Sequence, residues 1–191
     1  MKKIVFLVML IVTSHFFEEV SMKIFANTIS EDKTYEEMYP EIGYKTIEEA
    51  IKEFEQHFDQ DFKLPLRLPP ISFTHHFGKF NDSEGEMNDF LELEYIHDSS
   101  PENHYYIFVK PIEHKLKIKD KRIINRYHLK NGNEAVFLTI SESIVGLAFE
   151  RDGWQYMLSI PKALSKKVTP ERLVEIANSI DYPSEKENPL E

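Results

Sequence analysis

Apolar residues recur at helical spacing in two places. Ile47, Ala50, Ile51, Phe54 and Phe58 share one face, with Lys52, Glu53 and Glu55 on the other, which predicts a helix over 46–59. Thr46, with Glu49 three residues on, has the spacing of a capping box at its start. Near the end of the chain Leu173, Val174, Ile176, Ala177 and Ile180 form a second stripe behind Thr169 as N-cap and Pro170 as first helical residue, and Pro183 stops it.

Between the two helices the period is that of strands. Leu64-Pro65-Leu66-Arg67-Leu68-Pro69-Pro70 cannot continue a helix and should run extended over the core. Strands are then expected over 71–77, 90–97, 105–112, 122–129, 134–140, 144–150 and 154–160, and Leu116 and Ile118 alternating with Lys115, Lys117 and Lys119 read as a further half-buried strand. Asn131-Gly132 and Asp152-Gly153 supply the positive φ angles of tight hairpins. Short turns between consecutive strands imply antiparallel neighbours, because parallel neighbours need long crossovers. The expectation is a two-layer α+β fold: a meandering antiparallel sheet of about six or seven strands packed by an N-terminal and a C-terminal helix.

The amino terminus has a different pattern. Met1-Lys2-Lys3 precedes an apolar run from Ile4 to Val12, the layout of a secretory signal peptide. Ile4 to Phe17 would cover only about 21 Å as a helix, short of the roughly 30 Å hydrocarbon core, so a permanent span is disfavoured. Cleavage is expected after Ala26, with Val12-Thr13-Ser14 as the other option; the competing picture is a cytoplasmic protein with a buried first strand. The expected organisation is a signal peptide at 1–26, an acidic, loosely held lead-in segment at 27–45, one α+β domain at 46–182 and a polar tail at 183–191. The expected location is extracytoplasmic, secreted or envelope-associated.

Composition narrows the function classes. The 191 residues carry 23 Lys plus Arg against 33 Asp plus Glu, a formal net charge of −10, with no cysteine. Zero cysteine removes disulfide scaffolds, thiolate zinc sites, cysteine nucleophiles and a lipoprotein anchor. The net charge argues against a dedicated nucleic-acid binder. Removing residues 1–26 takes away three lysines and two glutamates and leaves −11.

The segment Gly146-Leu147-Ala148-Phe149-Glu150-Arg151-Asp152-Gly153-Trp154-Gln155-Tyr156-Met157-Leu158, followed by Val168-Thr169-Pro170-Glu171-Arg172-Leu173-Val174-Glu175-Ile176-Ala177-Asn178-Ser179-Ile180, resembles a Firmicutes domain family of unknown function. Its members are exported or membrane-anchored, some with anti-sigma-factor-like regions. They pair an acidic-Gly-aromatic hairpin with a final helix reading Leu-x-x-Ile-Ala-x-Ser-Leu/Ile. The resemblance covers roughly residues 70–182, with clear motifs over 146–180. It implies an extracytoplasmic accessory domain and nothing catalytic; this chain lacks the lipid-modified cysteine of many such members.

Candidate chemistry is sparse. His75, His76, His97 and His104, with Glu92, Glu94 or Asp98, could assemble a metal site, but adjacent histidines on a strand point to opposite faces. The acidic loop of Asp82, Glu84, Gly85, Glu86 and Asp89 could hold calcium but lacks the EF-hand order, and a solvated loop is favoured. No Gly-x-Ser-x-Gly or phosphate-binding glycine loop is present, no Ser-x-x-Lys stands in a catalytic setting, and Ser165 before Lys166 and Lys167 lies in a connector. The expectation is no catalytic residue, no metal and no cofactor. The charge anomaly is 110–130, where Lys110, Lys115, Lys117, Lys119, Lys121, Arg122, Arg126 and Lys130 oppose Glu113 and Asp120, a local +6. Lys115, Lys117, Lys119, Lys121, Arg122 and Arg126 are the candidate site for an unknown protein partner or an anionic envelope polymer. The competing explanation is a lysine-guarded edge strand, and the acidic first helix could pair with the strip. The expected function is an exported accessory domain that binds at the cell envelope. The alternatives are a secreted hydrolase using carboxylates and an acidic inhibitor or immunity-type protein.

Overall fold

A computed structural model describes residues 33–82 and 85–181. The expected signal peptide at 1–26 and the tail at 183–191 lie outside the described residues. A short helix α1 (Tyr35–Glu41) precedes α2 (Ile47–Phe58). Seven strands follow: β1 (His75–Asn81), β2 (Phe90–Ile96), β3 (His104–Pro111), β4 (Ile123–His128), β5 (Glu134–Thr139), β6 (Ile144–Arg151) and β7 (Trp154–Pro161). Helix α3 (Pro170–Ala177) closes the order and runs into a 3-10 turn, Asn178–Asp181.

The strands form one antiparallel sheet in the order β1-β2-β3-β7-β6-β5-β4. It is two meanders, β1 to β3 and β4 to β7, joined where β3 pairs with β7. This is the expected α+β class. The join requires one long connection, residues 112–122, to carry the chain from β3 past three strands to β4 at the far edge.

One sheet face carries the core. Leu93, Ile107, Leu158 and Leu147 pair across four strands and are 0–1% exposed. Helix α2 lays Ile47, Ala50 and Phe54 on this face, and α3 adds Leu173, Ile176 and Ala177. Phe54 is ringed by Phe58, Phe62, Phe80 and Trp154 at centroid distances of 5.1, 5.7, 5.6 and 4.6 Å. The capping box forms as the spacing requires: Glu49 N–H donates to the Thr46 hydroxyl, and Thr46 N–H donates back to the Glu49 carboxylate. The proline-rich segment runs extended, and the chain just before it is clipped on by the core's polar handles. Trp154 Nε1 donates to the Asp61 carbonyl and the Tyr156 hydroxyl to the Lys63 carbonyl, each at 3.0 Å.

Four expectations change. The first strand is His75–Asn81 rather than 71–77. Ile71 and Phe73 are apolar because they pack on the core beside the ladder, not within it. Residues 115–119 form no strand; they belong to the connection across the sheet. The Asn131-Gly132 turn has positive φ only at Gly132, at 86°. Leu129 N–H bonds the Asn133 carbonyl and Gly132 N–H bonds that of Leu129, so the loop has three residues instead of two. Thr169 takes the N-cap position of α3, but its hydroxyl makes no cap hydrogen bond. The second hairpin is as expected, with Asp152 at φ 49° and Gly153 at φ 83° between the paired Arg151 and Trp154.

Both sheet edges are managed. At β1, Lys45 exchanges two 2.9 Å backbone hydrogen bonds with Gly78. At β4 the register shifts between Ile123 and Asn125, a bulge that leaves Ile124 unpaired and 56% exposed. Among the described residues no helix is long and apolar enough to cross a membrane.

Candidate functional site

The second sheet face is where polar chemistry collects. The connection from β3 to β4 crosses it as irregular chain between two 3-10 turns, Ile112–His114 and Asp120–Arg122. Ile118 packs onto Leu138, Ala148 and Met157. The Gln155 amide holds the backbone on both sides: Leu116 N–H donates to its oxygen at 2.7 Å, and its nitrogen donates to the Leu116 carbonyl at 3.1 Å. With one residue turned in, the lysines on either side are turned out.

The six candidate residues separate into two groups. Lys115 pairs with Glu150 at 2.6 Å, Arg126 pairs with Glu134 at 2.5 Å and approaches Asp120 at 3.4 Å, and Arg122 donates to the Ile140 carbonyl at 2.8 Å. Lys117, Lys119 and Lys121 are exposed and make no ion pair among the described residues. The acids that meet the strip come from β5, β6 and the connection itself, whereas α2 lies on the other face. Arg126 sits on edge strand β4, so edge guarding applies to it and not to the free lysines. Lys110 leaves the strip altogether. It is buried, donates to the Met87 carbonyl at 2.6 Å, and burial pulls its ammonium below the usual lysine range, opposed by Asp89.

Further along the same face lies a buried acidic cluster. Glu94 is 2% exposed, and its Oε1 lies 3.0 Å from His104 Nε2 while Oε2 has no hydrogen-bond partner among the described residues. The Tyr106 ring stacks on His104 at 4.2 Å, with its hydroxyl 3.4 Å from Nδ1. A neutral imidazole in this position accepts from Tyr106 at Nδ1 and donates to Glu94 at Nε2. Tyr39 stacks on Phe77 at 4.1 Å, and Tyr44 stands edge-on to it at 5.0 Å. Burial, with Glu94 and Glu92 nearby, pushes the Tyr44 and Tyr106 phenols far above the usual range. Burial also raises the Glu92 carboxyl, against a Tyr44 hydrogen bond that lowers it; Glu94 adds to the rise, while Lys79 and His104 oppose it. The Tyr44 and Tyr106 phenols stay neutral and can donate hydrogen bonds to the carboxylates beside them. Of the four histidines named in the sequence, His104 joins it, whereas His75 and His76 point to opposite faces of β1 and His97 pairs with Asp98 at 3.2 Å.

A third group joins elements the sequence keeps apart. His57 in the last turn of α2, Asp82 just after β1 and Asp89 just before β2 bring their ligand atoms within 4.8 Å of one another. Nothing in the helical stripe singles out His57, which lies beside it. The signal is the antiparallel pairing of β1 with β2, which returns Asp89 to the level of Asp82.

No protein-family model, curated protein or solved structure matches this chain.

Proposed function

We propose that this protein is an exported accessory domain that binds an anionic partner at the cell envelope, with Lys117, Lys119 and Lys121 as the contact. The observation that carries this reading is the three exposed lysines without counter-ions among the described residues, on a connection pinned by Gln155 and Ile118. Pinning lowers the entropy lost when the lysines meet a polyanion. Leu116, 42% exposed and next to Lys117, offers apolar contact beside the charges. The overall charge of −10 disfavours indiscriminate anion binding, so contact is restricted to the strip. The lysine-led N-terminal apolar run and the resemblance in 146–180 supply the compartment. Fractionation with N-terminal sequencing tests that compartment: the account expects envelope or medium recovery of a chain beginning at Asn27, eluted from envelopes by salt. Recovery from the cytosol with Met1 intact contradicts it.

A second reading, a hydrolase using carboxylates, is favoured by Glu94, whose Oε2 accepts no hydrogen bond among the described residues, beside the raised Glu92. It requires turnover of a glycan or ester substrate that Glu94→Gln abolishes. No turnover across such a panel removes it.

A further inference from the structure

We propose that His57, Asp82 and Asp89 form a binding site for a divalent transition-metal ion of the Zn²⁺ or Mn²⁺ class. His57 Nε2 and Asp89 Oδ2 lie 3.1 Å apart, and all three ligand atoms fall within 4.8 Å of one another. Ligands about 2.1 Å from one zinc ion stand roughly 3.4 Å apart in a tetrahedron, so the His57–Asp89 pair already has the spacing. Asp82 is exposed and approaches from the chain leaving β1, so it completes the set by a small movement.

Two of the three ligands are held before any ion arrives. The His57 ring is set between Phe58 at 4.6 Å and Phe80 at 5.0 Å, both part of the packing around Phe54. Asp89 is 1% exposed, and a carboxylate in such a place is found paired or on a metal. Lys110, whose ammonium acts on Asp89, balances part of its charge. One imidazole with two carboxylates is a mixed nitrogen and oxygen set. The imidazole selects against Ca²⁺ and Mg²⁺, which take oxygen ligands. Three protein ligands leave positions for water, the arrangement of an open site.

Calorimetric titration of the purified full chain with ZnCl2, MnCl2 and CaCl2 tests the proposal. His57→Ala and Asp82→Asn serve as the variants, because both residues are exposed, and circular dichroism checks that each keeps the fold. The expected result is one equivalent of Zn²⁺ or Mn²⁺ bound at micromolar or lower concentration, weakened at least about tenfold in each variant and unchanged in His75→Ala. No binding of either ion overturns the proposal. So does binding indifferent to both variants, or binding of Ca²⁺ alone.

Discussion

Gly78 sits where β1 passes under α2. A Cβ there would stand 2.8 Å from Ala50 Cβ and 3.1 Å from the Thr46 carbonyl oxygen, so helix and strand approach as closely as two backbones can. Gly78→Ala is expected to cost about 1–3 kcal/mol by overpacking, read as a lower denaturant midpoint at unchanged slope. Glu92 provides the opposite sign. Its carboxyl is raised in the folded chain, so the native state binds the proton more tightly than the unfolded state does. Its contribution to stability is therefore greatest in acid and is lost as pH rises from its ordinary value of 4.5 through the raised folded value. Glu92→Gln removes this loss. The variant should melt higher than the parent at neutral pH, with the difference shrinking as pH falls from the raised folded value to 4.5 and constant below it; equal melting at every pH would refute the assignment.

At the scale of elements, the capping box on α2 is the clearest local signal, since both reciprocal hydrogen bonds form. Thr46→Ala should lower stability by about 1 kcal/mol, measured by chemical denaturation. The helix was legible because five apolar residues at period 3.6 leave no other way to bury one face. The hairpin at Asp152-Gly153 was legible because few residues tolerate its two positive φ angles. Residues 115–119 were misread for a physical reason. Alternation reports one-sided burial, and Ile118 is buried on one side without any ladder, because it lies on top of the sheet and not within it. The first strand was misplaced for a related reason: Ile71 and Phe73 bury apolar surface outside the ladder, while Lys79 and Asn81 carry the ladder onward. Of the basic strip, the lysines that reach solvent were named from charge alone, but no local pattern separates them from Lys110, which the fold takes inside. His57 was invisible because its partners come from two other elements.

For the molecule as a whole, the sheet order decides where charge can act. Joining two meanders through β3 and β7 forces residues 112–122 across the second face, and that connection carries the lysines that make no ion pair among the described residues, in a chain at −10. The edges need no lysine guard, because Lys45 closes one and a bulge distorts the other. The lysines are then free for a partner, which is the central claim. Its most direct test is the partition of the purified protein onto anionic vesicles, compared with the triple variant Lys117→Gln, Lys119→Gln, Lys121→Gln. At about 1 kcal/mol per lysine near an anionic surface, the variant should bind roughly 100-fold more weakly, and wild-type binding should fall with added salt and be absent on zwitterionic vesicles. Equal partition of wild type and variant, or binding insensitive to salt, would contradict the account.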